Sequence, residues 1–263
     1  MYIYIYIYSF FTSLFQLLIF HSNFSFVQVH RSICLQLGKF TERISQIVLA
    51  VESARPNCAL AVRALCSLHF TLDKAKSVIR QCSQSSKLYL AVMAHKIVSR
   101  CEKIRSDLEL YLTQIQQVVP ILLDAEISGT IHDLRAAEFS LEFAEEEARK
   151  ALLELLKKDL PGSGFINDVE LDAVQIATLS LKIASPIALS EEKAALKLQI
   201  DKAKDTGQRE MELVKYLLYL LIKYRKFICQ LQTRNQSEKQ VRHHQSMDHK
   251  PDANDAMHQN QIG

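Results

Sequence analysis

Two long segments of this chain carry apolar residues at spacings that alternate between three and four. In residues 57–82 these positions are Ala61, Leu65, Leu68, Leu72, Ala75, Ile79 and Cys82. In the next segment, which ends before Pro120, they are Ile97, Cys101, Ile104, Leu108, Tyr111, Ile115 and Val118. Such spacing forms one narrow apolar stripe along a helix. The polar residues 83–86 favour a turn, so the sequence predicts two long helices packed antiparallel.

Shorter helical patterns precede and follow this hairpin. Residues 40–51 repeat apolar positions at helical spacing, and residues from about 124 to 158 form another predicted helical region, with 139–148 unbroken. Asn167 followed by Glu170 resembles a capping box that opens a helix through Leu181. A last helical region is predicted from Ser190, past Gly207, to about Leu231. With only 6 glycines and 5 prolines in 263 residues, the prediction is an all-α, up-and-down helical bundle.

Several polar and apolar groups allow two interpretations each. The acidic group of Glu142, Glu145, Glu146 and Glu147 either forms a solvated face, which we favour, or marks a basic partner. The apolar run 213–222 is too short to span a bilayer and is predicted to be a core helix rather than a membrane-surface helix. The predicted helix over residues 57–82 is expected to leave three basic side chains in solvent, namely Lys74, Lys76 and Arg80.

No catalytic, cofactor-binding or metal-ligating residue is predicted. A net charge of +3 lacks the strongly basic character of a nucleic-acid binder. His69 and His95 are interpreted as partly buried structural side chains rather than catalytic bases. The cysteines lack metal-site spacing and are predicted to be small buried hydrophobic residues in a reducing compartment: Cys34, Cys58, Cys66, Cys82, Cys101 and Cys229.

The two ends of the chain differ from its centre. Residues 2–20 are uncharged and apolar, long enough for a membrane anchor, but they lack the basic start and cleavage site of a signal peptide. Alternating TAT and ATA codons would encode the Tyr-Ile repeat, so we favour a gene-model extension over an anchor. After Gln232 the composition is polar, predicting a disordered tail in which clustered histidines are incidental rather than metal ligands. The predicted domains are 1–28, 29–232 and 233–263.

Blocks of sequence in the first half resemble the N-terminal domain of plant U-box E3 ubiquitin ligases. They read ESARP at residues 52–56, ALCSLH at 64–69, LDKAK at 72–76 and CSQSSKLYLA at 82–91. Weaker similarity continues to about residue 230. The resemblance implies a helical bundle similar to four-helix adaptor domains, with additional helices. It also implies, in such ligases, a U-box that recruits the ubiquitin-conjugating enzyme and armadillo repeats that hold substrates.

Nothing after Leu231 resembles a U-box or an armadillo repeat. We therefore expect a truncated homologue that acts as a cytoplasmic protein–protein interaction module, inactive alone, with receptor-like kinases or ubiquitination components as partners. The first alternative is an incomplete gene model of an active RING-type (U-box) E3 ubiquitin transferase. The second is a membrane-anchored helical scaffold, which requires that residues 2–20 are genuine. No nucleic-acid partner is expected, and the oligomeric state stays open.

Overall fold

The computed structural model describes residues 27–54, 58–157, 167–203 and 207–230, and helices account for most of them. No strand occurs in these ranges, so the predicted all-α class is confirmed. A short helical stretch at 225–230 follows the last of the helices. These are α1 (Arg31–Ser53), α2 (Ala59–Gln84), α3 (Lys87–Gln116), α4 (Ile121–Ala136), α5 (Phe143–Lys157), α6 (Asp168–Ser180), α7 (Pro186–Ala203) and α8 (Gln208–Lys223).

Helices α1 to α4 form a ring in which each packs on its two neighbours, and α4 closes the ring against α1. The antiparallel arrangement of α3 and α4 is visible in two hydrogen bonds. Gln116 donates to Ser128 at 2.7 Å near the turn, and Arg135 donates to Glu109 at 2.6 Å farther from it. Together with the buried stripes, this ring is the predicted four-helix core.

The apolar stripes of α2 and α3 face the core as predicted. All seven stripe residues of α2 are buried, as are five of the seven predicted for α3. Ser86 begins α3, because its side-chain oxygen accepts a hydrogen bond from the Tyr89 N–H. Lys76 is a correction: it is buried rather than left in solvent. Its long aliphatic chain can be covered while the ammonium group reaches exposed Asp73, 3.7 Å away.

The remaining helices form a second layer on α3. Helices α5 and α6 pack as one pair and α7 and α8 as another, and α3 contacts both pairs. The apolar run 213–222 lies in α8, where Val214, Leu217, Leu220 and Leu221 are buried. Its prediction as a core helix is therefore right for the inward face, while Ile222 on the other face is 52% exposed.

The region 124–158 is not one helix, which corrects the prediction of unbroken helix over 139–148. Helix α4 ends where Ala137 turns to an extended conformation, and α5 starts at Phe143. Between them the Phe139 N–H donates to the Glu102 carboxylate of α3. Glu145 then accepts from the Glu142 N–H, so its side chain caps the start of α5.

The last predicted helical region is also divided. Helix α7 begins at Pro186 rather than Ser190, with the Ser185 hydroxyl accepting from the Ala188 N–H. Proline suits this first helical position because its missing N–H would have no intrahelical partner. The described chain resumes at Gly207, whose φ of 136° interrupts the helix before α8. Instead of one bent helix, α7 and α8 pack against each other.

Several predictions lie outside the described residues. They concern the apolar leader as far as residue 26 and the tail after Gln232, including its histidines. None of the described helices combines the length and apolar character that crossing a bilayer requires.

Candidate interaction site

A groove of about 690 Å³ has the start of α7 on one side. The end of α8 and the helical stretch 225–230 that follows it form the other side. The C-terminal end of the apolar run 213–222 lies in this groove. The basic side chains of the groove come from α7, from the end of α8 and from the helical stretch 225–230. None of the lining residues is acidic. They are Pro186, Leu189, Ser190, Lys193, Leu221, Ile222, Lys223, Arg225, Lys226, Cys229 and Gln230.

The helix pairing explains why the groove is apolar at its base and basic at its rim. Leu189 and Leu221 are buried where α7 meets α8, because both lie on the inward faces of amphipathic helices. Lys193, Arg225 and Lys226 stand on the outward faces and are exposed. The sequence already showed Arg225 and Lys226 beside the apolar run, but the contribution of Lys193 needed the fold.

Lys223 differs from the other basic lining residues, because it forms an internal ion pair. Its ammonium lies 2.7 Å from the Glu170 carboxylate of α6, and Tyr224 donates to the same carboxylate at 2.6 Å. Burial alone would lower the pKa of Lys223, but the bond to Glu170 holds this pKa above its ordinary value. Burial and Glu170 raise the pKa of neighbouring Tyr216 to about 12.

The capping box predicted at Asn167 is half right. The Asn167 side chain does accept from the Val169 N–H at 3.0 Å and begins α6. Glu170, however, does not complete the box; it binds Lys223 at the end of α8 and Tyr224 directly after it. Burial acts to raise the pKa of Glu170, and its donors hold that pKa below the ordinary value.

A second polar centre joins the start of α1 to α3 and α5. The buried His30 donates its backbone N–H to Glu145, and its Nδ1 lies 3.1 Å from the same carboxylate. Its Nε2 lies 3.2 Å from the carbonyl oxygen of Leu90. Carboxylate and carbonyl oxygens accept hydrogen bonds, so the geometry assigns a proton to each ring nitrogen. His30 is accordingly assigned as a buried imidazolium paired with Glu145.

The electrostatics of this pair agree with its geometry. Burial acts to lower the pKa of His30, but the Glu145 carboxylate raises it overall. Burial acts to raise the pKa of Glu145, and the His30 hydrogen bonds lower it overall. The interpretation of the acidic group as a solvated face is thus wrong for Glu145. It fits better for Glu142 and Glu147, which are exposed, while Glu146 is half-buried and pairs with Arg149.

A third centre holds α7 against the start of α3. The buried Glu192 carboxylate accepts from the Ser86 hydroxyl and from the N–H groups of Lys87 and Leu88, at 3.0 and 2.9 Å for the latter two. These backbone donors belong to the first turn of α3 and have no intrahelical acceptor. Burial raises the pKa of Glu192, and the three donors act against that rise.

The cysteine prediction is confirmed for Cys34, Cys82 and Cys101, which are buried, and wrong for Cys66, which is exposed. Cys34, Cys58, Cys66, Cys82 and Cys101 carry free thiols. A hydrogen bond with Cys82, together with burial, raises the pKa of Cys34, and burial raises that of Cys101 to about 12. In the part of the chain that the structure describes, no three His, Cys, Asp or Glu side chains are placed to hold a metal ion.

The two histidines singled out by the sequence take part in none of the three polar centres at Glu170, His30 and Glu192. His69 is partly exposed and lies 2.8 Å from Glu52 across the α1–α2 interface, as a structural role requires. His95 is exposed, so its predicted burial is wrong. The sequence pattern predicted no buried contact for His30 or Glu192 and placed Glu145 on a solvated face. The only local feature that could have indicated one of these centres was the position of the polar residue His30 directly before an apolar helix.

Sequence comparison relates this bundle to known proteins. Over 171 residues, 65% of this chain, it is 39% identical to U-box domain-containing protein 5 of Arabidopsis thaliana. Over 200 residues, 76% of the chain, it is 31% and 32% identical to U-box domain-containing proteins 6 and 45 of the same plant. The chain is a homologue of plant U-box domain-containing proteins. The suspected resemblance is thereby confirmed.

The homology covers only part of these U-box domain-containing proteins. The chain spans about a quarter of the length of the relatives it matches, 24% for protein 5 and 26% for proteins 6 and 45. The matched stretch is an N-terminal region of these longer proteins. No family model matches the chain, and no solved structure matches it.

Proposed function

We propose that this chain is a helical protein–protein interaction module that works in ubiquitination. The observation that carries the proposal is the alignment of 200 residues with U-box domain-containing proteins. That alignment corresponds in length to the whole helical bundle. A module that brings another protein to a ubiquitination complex needs a stable surface rather than reactive groups, and a packed bundle supplies one.

The partner we propose is the intracellular part of a receptor-like kinase or a component of the ubiquitination machinery. The groove between α7 and α8 supports an interaction role, because exposed apolar surface rimmed by polar groups is typical of protein interfaces. We further propose that the chain itself performs no ubiquitin transfer and that its role is limited to binding.

Two measurements test this function. The purified 263-residue chain is mixed with ubiquitin, E1, E2 and ATP, and its ability to form ubiquitin conjugates is followed on gels. We expect none, and conjugates that require this chain would overturn the binding-only proposal. Binding is measured separately by calorimetry against purified kinase domains of receptor-like kinases and against E2, and we expect at least one of them to bind.

A second candidate is E3 ubiquitin transferase activity in a longer product of the same gene. Two facts favour it: the relatives are named for a U-box domain, and they are about four times as long as the stretch that matches this chain. Sequencing the transcript past codon 263 distinguishes the two candidates. An in-frame U-box supports the ligase, and a stop codon after Gly263 supports the interaction module.

A further inference from the structure

We propose that the α7–α8 groove binds an acidic amphipathic helix of a partner protein. This inference deepens the proposed function and rests on it, since it names the surface that such a module would use. The groove has the two properties that an amphipathic helix requires: an apolar base and charged edges. The chemistry of both follows from the described residues.

The base of the groove can receive apolar side chains. Leu189 and Leu221 form its floor, and Ile222 presents a side chain that is 52% exposed. Exposed Pro186 extends the apolar surface at one end. A partner helix with apolar residues at i, i+3, i+4 and i+7 would place them along this strip.

The rim of the groove selects for negative charge. Lys193 lies on the α7 side, and Arg225 and Lys226 lie on the side of the helical stretch after α8. All three are exposed, and no carboxylate is among the lining residues. Lys223 is neutralised by Glu170 and so adds no net positive charge to the rim. Like charges gathered at one concave site attract and orient an oppositely charged ligand.

Neither terminal segment of the given sequence carries the acidic excess that this rim would attract. Residues 1–26 contain no Asp, Glu, Lys or Arg, so they offer no counter-charge. Residues 231–263 contain four basic and four acidic residues, so they are not acidic overall. A concave site also fits a helix better than it fits the flat surface of an anionic membrane, which would need a convex or planar basic face.

The test uses the full-length chain and a defined probe. The probe is a fluorescein-labelled helical peptide with leucines at i, i+3, i+4 and i+7 and glutamates on its other face. We expect saturable binding by fluorescence anisotropy that weakens as salt is added. Lys193→Glu and Lys226→Glu should each weaken binding by about tenfold or more. Lys103→Glu, an exposed reversal in α3 outside the groove lining, should leave binding unchanged.

Peptide variants and vesicles complete the test. Replacing the peptide leucines by serines should abolish binding, which shows that the apolar floor takes part. The proposal is overturned if the full-length chain does not bind the probe, or if Lys193→Glu and Lys226→Glu bind it as wild type does. It is also overturned if phosphatidylserine vesicles bind in a Lys193-dependent manner while the peptide does not.

Failure of this inference is distinguishable from failure of the proposed function. If a kinase domain or E2 binds wild type and Lys193→Glu equally while the probe does not bind, the interaction module stands and the groove assignment falls. If the probe binds the groove but no ubiquitination-related protein or kinase binds the chain, the groove stands and the proposed partners fall.

Discussion

His30 and Glu145 make a two-point contact in the interior of the protein, although 115 residues separate them in the chain. His30 adopts a left-handed backbone conformation with φ of 58°, an uncommon one for a residue with a side chain. This conformation directs both its backbone N–H and its ring Nδ1 toward one carboxylate. The start of α1 is thereby fastened to α5, and through the Leu90 carbonyl to α3.

Replacing Glu145 should test how much this contact stabilises the fold. Glu145→Gln leaves the buried imidazolium without a counter-charge, and we expect the free energy of unfolding to fall by about 3–5 kcal/mol at mildly acidic pH. Urea denaturation followed by circular dichroism measures the change. The control is Glu154→Gln, also in α5, which removes only an exposed ion pair with Lys157 and should change stability by about 1 kcal/mol or less. Equal effects of the two variants would contradict the assigned role.

The same pair predicts how stability depends on pH. The groups facing His30 are Glu145 from α5, the Leu90 carbonyl from α3 and the Cys82 thiol from α2. The pKa of His30 is raised on folding, so its contribution is complete below the ordinary histidine pKa and is lost as pH rises through the raised value. The pKa of Glu145 is lowered, so its contribution is lost as pH falls through that lowered value.

The pair should therefore stabilise most between the ordinary pKa values of glutamate and histidine, about 4.3 and about 6.5. We expect the stability difference between wild type and Glu145→Gln to be largest in this window and to narrow on the alkaline side. Urea denaturation of both proteins at a series of pH values measures it. A difference that stays constant from acidic to alkaline pH would show that His30 is not protonated in the folded state.

Glu192 allows a second test of how a buried polar centre stabilises the fold, because its carboxylate accepts hydrogen bonds from the first turn of α3. Glu192→Ala removes the acceptor of the buried Leu88 N–H and of the part-buried Lys87 N–H, and we expect a loss of about 2–3 kcal/mol. Amide exchange in the first turn of α3 should also accelerate. The neighbouring exposed residue offers a control, since Glu191→Ala should lie within about 0.5 kcal/mol of wild type. Unchanged exchange in Glu192→Ala would contradict the capping role.

The helices were predictable because apolar periodicity is a local property of the sequence. Leu68, Leu72 and Ile79 in α2, and Cys101 and Leu108 in α3, are buried on the faces that their spacing indicates. Each of these positions is decided by its neighbours within two helical turns, so no knowledge of the rest of the chain was needed.

The polar centres were not predictable for the opposite reason. Glu192 meets Ser86 across 106 residues, and no local pattern distinguishes Glu192 from the exposed Glu191 beside it. The break between α4 and α5 likewise contains neither proline nor glycine. Within this break the Phe139 N–H donates to Glu102, which lies 37 residues earlier in the chain. The groove was predictable in part for the same reason. The basic residues on its α8 side lie next to the apolar run in the sequence, whereas the contribution of Lys193 depends on how α7 packs on α8.

Two glycines in helical regions make opposite predictions for the same substitution. Gly129 lies within α4, where alanine is favoured over glycine by about 0.5–1 kcal/mol. A Cβ there would approach one atom, the guanidinium nitrogen of Arg43, at 3.2 Å. That nitrogen is the end of a flexible, partly exposed side chain, which can move aside while keeping its ion pair with Asp133. Gly129→Ala should therefore stabilise the fold by up to about 1 kcal/mol.

Gly207 is the matched comparison for Gly129. No atom lies within 4 Å of a Cβ added at Gly207, so crowding plays no part, but its φ of 136° belongs to a region that side chains rarely adopt. Gly207→Ala should therefore destabilise by about 1–3 kcal/mol through backbone strain alone. Thermal and urea denaturation of the two variants and of wild type measure both changes in the free energy of unfolding, which should have opposite signs. Destabilisation by Gly129→Ala that disappears in an Arg43→Ala background would show instead that the Arg43 side chain is held too firmly to move.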